Sequence, residues 1–100
     1  MSSCEGSDPF ALQVLGDSME PEFPDGCIVV AEPDGVIEDG RFVIAQHNNE
    51  YIFRQLAVDG ERNYLRALKE GYPVLEMGPE DTIRAVVVQR VVGRDRKLYY

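Results

Sequence analysis

Residues 42 to 56 read Phe42-Val43-Ile44-Ala45-Gln46-His47-Asn48-Asn49-Glu50-Tyr51-Ile52-Phe53-Arg54-Gln55-Leu56, two runs rich in β-branched and aromatic residues around a pair of asparagines. A two-residue hairpin turn that matches strand twist needs positive φ at its central positions, and asparagine tolerates that region. With the turn at Asn48-Asn49, Val43 pairs with Arg54 and Ala45 with Ile52. Arg54 then shares a strand face with Ile52 and Leu56, the apolar, inward face. A guanidinium breaks that pattern. Such breaks mark functional positions, because an unpartnered buried charge is costly; the plainer reading is a half-exposed arginine whose stem packs while its head reaches water.

Outward from the hairpin the chain keeps a strand-and-turn rhythm. Phe10, Leu12 and Val14 alternate with Ala11, Gln13 and Leu15, the period of a half-buried strand that Gly16 ends. Asp17 to Pro24 allows one short helical turn, since Pro21 and Pro24 forbid a longer one. Asp25-Gly26 turns the chain into an apolar strand from Cys27 to Ala31. Pro33-Asp34-Gly35 and Glu38-Asp39-Gly40 punctuate the next loop, and Asp59-Gly60 leads into a strand from 63 to 68. After breaks at Gly71 to Pro73 and Gly78-Pro79, the run from Ile83 to Val92 contains Val86, Val87 and Val88 in succession. Both faces of that strand are therefore covered, as in a central strand or one paired at a subunit interface. Five to seven strands with very little helix predict a mostly-β domain over residues 10–100, preceded by a flexible leader at 1–9 rich in Ser, Gly, Asp and Pro.

One hundred residues, 44% of them hydrophobic, make one domain with a modest core. A net charge of −8 opposes direct nucleic-acid binding, and no basic helix-turn-helix pattern is visible. No apolar run approaches the ~18 residues of a membrane span, and no signal peptide precedes Phe10, so the expected location is cytoplasmic. Cys4 and Cys27 are read as free thiols. His47 is the only histidine, and no cysteine or histidine cluster supports a metal. Glu20, Glu22 and Asp25 read as a solvated acidic loop, and Arg94, Arg96 and Lys97 as a small basic tail.

The stretch Phe10-Ala-Leu-Gln-Val-Leu-Gly-Asp-Ser18-Met19, then Pro24-Asp25-Gly26 and Cys27 to Ala31, resembles the S24 peptidase family: the C-terminal domain of LexA, the related phage repressors and UmuD. Asp39 to Ala45 with Tyr51 to Leu56, and Leu65 to Leu68 through Tyr72-Pro73 to the run 83–93, are similar to the later blocks of the family. The resemblance implies a LexA C-terminal-domain-like fold of strongly bent antiparallel sheets. It also implies that Ser18 holds the nucleophile position, with backbone N–H groups as oxyanion hole and Asp17 and Met19 lining the site.

The family's lysine lies in a hydrophobic-x-Lys-Arg-Leu context, and the matching position here is Arg54, 36 residues after Ser18. That lysine must be neutral to take the serine proton, which burial permits for an ammonium and not for a guanidinium. Of the two lysines, Lys69 precedes a Glu-Gly turn signal and Lys97 lies near the chain end, so neither is expected as the base; His47 sits at the far hairpin tip. Family members cleave themselves at an Ala-Gly or Cys-Gly bond before the serine, and no such pair precedes Ser18. The expectation is a peptidase-like domain, inactive or impaired in self-cleavage, that acts in dimerisation or in regulation of transcription or an SOS-type response. The alternatives are an active serine peptidase using Ser18 with an unusual base or in trans, and a repressor's regulatory half that dimerises a DNA-binding segment. By resemblance the partners are a second copy and a RecA-type or polymerase-type protein, with no cofactor, nucleic acid or membrane.

Overall fold

Among the described residues every strand pair is antiparallel, because short turns join most sequence neighbours and no helical crossover intervenes. The structure, a computed structural model, describes residues 8–99. Most of the expected leader, with Cys4, lies outside the described residues.

Eight strands form one sheet: β1 (Phe10–Gln13), β2 (Ile28–Glu32), β3 (Phe42–His47), β4 (Glu50–Asp59), β5 (Arg62–Arg66), β6 (Leu75–Glu76), β7 (Thr82–Val92) and β8 (Asp95–Leu98). Their order is β1-β2-β7-β3-β4-β5-β6, and β8 also pairs with β7. Since β2 takes one edge of β7, β3 and β8 lie end to end along the other. Register shifts opposite Val30/Ala31 and Ile44/Ala45 leave Val88 and Arg84 as the extra residues, so both bulges lie on β7, where added residues bend a sheet. The mostly-β, LexA C-terminal-domain-like class is what these elements form.

The hairpin has the register read from the sequence: Asn48 and Asn49 have φ of 51° and 64°, Val43 pairs with Arg54, and Ala45 with Ile52. The three successive valines sit on the central strand. Val87 packs with Met19, Phe23, Val29 and Ala31 in one core cluster, while Val86 packs with Val43, Ala45, Leu56 and Leu65 in the other. One strand with period-two side chains thus serves both clusters.

Several readings change. The strand from Phe10 is not half-buried: every residue of β1 is exposed, and burial begins only at Val14. It is an edge strand, and its alternation finds no covering layer among the described residues. The basic tail is not a loose counter-charge either, since residues 95–98 close a hairpin on β7 through Gly93, whose φ is 57°. The two-residue β6 and this last strand raise the count above the five to seven expected.

Nor is the acidic loop merely solvated. Glu22 accepts hydrogen bonds from Lys97 Nζ at 2.7 Å and Tyr99 Oη at 2.5 Å, with Arg90 Nη1 3.4 Å away, and so ties the 17–24 segment to the C-terminal strand. The hydrogen bond from Lys97, then that from Tyr99, holds the Glu22 carboxyl below its ordinary 4.5. A carboxyl whose folded pKa is depressed adds stability above its unfolded value, and loses it as pH falls through the folded one. Thermal melts should therefore separate wild type from Glu22→Gln most widely above pH ~5, with the gap closing below pH ~4. A gap that stays constant across that range would remove the linkage.

Candidate active site

Ser18 stands on a loop fixed from several sides. Gly16, with φ of 94°, reverses the chain after β1, and its N–H donates to Asp25 Oδ1 at 2.7 Å. The Phe23 N–H donates to the Met19 carbonyl at 2.9 Å and closes a turn with a cis Glu20–Pro21 bond inside it, in place of the helical turn expected there. Met19 and Phe23 are fully buried and anchor this turn in the core. Ser18 itself is half-buried, and its carbonyl accepts the N–H groups of Leu68 and Lys69, each at 3.0 Å. The serine backbone is thus pinned between the β1–β2 loop and the segment after β5.

Arg54 reaches this serine from the neighbouring hairpin. Its Nη1 donates to Ser18 Oγ at 3.0 Å and to the Phe53 carbonyl at 2.8 Å, and its Cζ lies 5.8 Å from the centre of the Tyr72 ring. Burial draws the Arg54 pKa down from its ordinary value, yet a guanidinium starts so high that it stays charged. All five of its N–H groups are donors and none accepts. Among the described residues, the one hydrogen bond to the Ser18 side chain is this accepted one, which occupies an oxygen lone pair and takes no proton away.

Asp17 does not pair with Arg54: Lys69 Nζ donates to its Oδ2 at 2.5 Å and the Tyr72 hydroxyl donates to its Oδ1. The hydrogen bond from Lys69, then that from Tyr72, holds the Asp17 carboxyl below the usual range. The same contact raises the Lys69 pKa, so the amine nearest the serine loop is more firmly protonated than a free lysine. Sequence reading placed Lys69 outside the site; the fold brings it to the margin, bound to a carboxylate. The signal lay in the tract Leu68 to Tyr72, inside a block already matched but read there only as turn and strand.

His47 is half-buried, and its Nδ1 lies 2.8 Å from Asp81 Oδ2, at the tip of the hairpin. Cys27 is a buried free thiol. No helix among the described residues is long and apolar enough to cross a membrane.

A groove runs up to this constellation. Residues 12–15, leading out of β1, line one side and residues 51–54 of β4 the other, with Val29 and Ile44 between them, around a cavity of about 290 Å³. A second cavity of about 580 Å³ shares Leu12, Ile44 and Tyr51 and extends the trough past Phe10 and Ile83.

Comparison with known proteins converges on one family. The sequence profile described as Peptidase S24-like matches residues 2–88. An HTH-type transcriptional regulator for conjugative element R391 from Providencia rettgeri is 37% identical over 90 residues, covering 83% of this chain and 42% of its own. Repressor protein C2 of Salmonella phage P22 is 34% identical, over 81% of this chain and 40% of its own, and a LexA repressor of Oleidesulfovibrio alaskensis is 33% identical, over 87% and 42%. The chain spans about two-fifths of the length of these relatives.

Proposed function

The chain belongs to the Peptidase S24-like family, and we propose that it is a regulatory domain of transcription control whose serine site is chemically silent. What carries the reading is one contact: a permanently charged donor, Arg54 Nη1, meets Ser18 Oγ at 3.0 Å where a serine nucleophile needs a proton acceptor. The nearby amine that a lysine-based mechanism could use is held protonated by Asp17. The names of the relatives, regulators and repressors all, favour a role in transcription. With a charge of −8 this domain itself would not grip phosphates, so it acts by holding a second copy or a protein partner.

Two exposed strand edges, those of β1 and β8, offer sites for such pairing. Sedimentation equilibrium should show a dimer at micromolar concentration. Monomers alone throughout that range would remove self-association from the account.

A further inference from the structure

This inference rests on the reading that Ser18 has no base, and concerns what the silent site holds. We infer that the groove beside Ser18 binds an extended peptide by its C-terminal carboxylate, which pairs with Arg54.

Charge points to the ligand. Arg41, Arg62, Lys69, Arg90 and Lys97 each have a carboxylate within 4.0 Å. Arg54 is more buried than any other cation lacking such a partner, and among the described residues it has none, although the chain carries 18 acidic side chains. Its Nε is buried without a hydrogen-bond partner. Asp17, next to Ser18, is taken by Lys69 and Tyr72. A half-desolvated guanidinium whose Nη2 is uncommitted matches a carboxylate, which accepts charge-assisted N–H bonds.

Shape points to a chain end. Leu12, Leu15 and Tyr51 leave apolar surface exposed along the groove, at 36%, 81% and 64%. β1 has a strand on one side only, so its free edge can accept an added strand whose alternate side chains enter the trough. At the polar end the segment from Leu68 to Tyr72 packs on the serine and the arginine: two of its N–H groups hold the Ser18 carbonyl, and the Tyr72 ring lies against Arg54. A peptide arriving along β1 terminates at Arg54. Apart from that guanidinium the cavity beside Ser18 has no charged lining residue, and Arg84 lines the far part of the trough.

The test uses the whole chain and three fluorescein-labelled hexapeptides of alternating serine and valine, read by fluorescence anisotropy. One ends in a free alanine carboxylate, the second is its amide, and the third is an amide with an internal aspartate. The free acid should bind at least about tenfold tighter than either amide, the range of a charge-assisted hydrogen bond. In Arg54→Gln the acid should fall to the level of the amide, while Ser18→Ala should keep the preference. Equal binding of acid and amide, binding of none, or a preference for the internal aspartate would overturn the inference, and each is read on wild type without any variant. Parallel treatment with a fluorophosphonate separates the two ideas. An adduct on Ser18 with the preference intact would remove the silence and keep the carboxylate site; no adduct and no preference would do the reverse.

Discussion

Replacing Arg54 with lysine should make Ser18 reactive. The Arg54→Lys side chain is shorter and ends in an amine that can lose its proton, and the half-buried position that already depresses the arginine would depress an ammonium too. The serine loop is set before any base arrives, because Met19, Phe23 and the two amides on the Ser18 carbonyl hold it in place. A positioned general base typically contributes 10²–10⁴-fold, so labelling of Ser18 by a fluorophosphonate should rise by about 10²-fold or more. The rise should follow the amine's titration, and it should vanish when Ser18→Ala is added. Arg54→Met, which removes the charge and supplies no base, should stay at background. If Arg54→Met labels as well as Arg54→Lys, relief of a blocking hydrogen bond explains the reactivity, and the missing base does not.

The largest loss of stability should come from Phe23→Ala. Phe23 is fully buried, and its ring meets those of Phe42 and Phe53 at 4.8 Å, nearly perpendicular to both, with Tyr99 at 5.3 Å. It therefore joins the serine loop, the hairpin and the C-terminal segment. Truncating a buried phenylalanine costs about 3–5 kcal/mol through lost transfer energy and a cavity. Because a domain of this size shifts by about 4–8 °C per kcal/mol, the melting temperature should fall by more than ~10 °C. Phe23→Leu should cost much less. A fall under a few degrees for Phe23→Ala would mean that the aromatic cluster does not hold the loop to the sheet.

The hairpin was legible because its signal is local: two asparagines fix the turn, the turn fixes the register, and the register places Arg54 on the face of Leu56. Val86 to Val88 were legible for a similar reason, since three consecutive apolar residues leave no solvent face. What pairs Ser18 with Arg54 in space is non-local, and the sequence carried it only through likeness to a family. Period-two alternation in Phe10 to Leu15 predicts a covered face, yet coverage depends on what lies beside the strand, and an edge strand lacks that neighbour. Lys69 and Tyr72 escaped because a lysine before a turn looks the same whether its amine meets water or Asp17. Glu22 shows the reverse error: an acidic run resembles a solvated loop until the C-terminal strand returns to place Lys97 and Tyr99 against it.

Raised pH distinguishes a silent serine from a slow one. Wild-type protein exposed to a fluorophosphonate from pH 6 to pH 11, with adducts located by intact mass and peptide mapping, tests the chemistry of the Arg54 contact most directly. No adduct should appear on Ser18 at any of these values, because the guanidinium keeps its protons throughout the range. A Ser18 adduct whose rate rises with an apparent pKa below ~10 would show a working base beside the hydroxyl and contradict that chemistry.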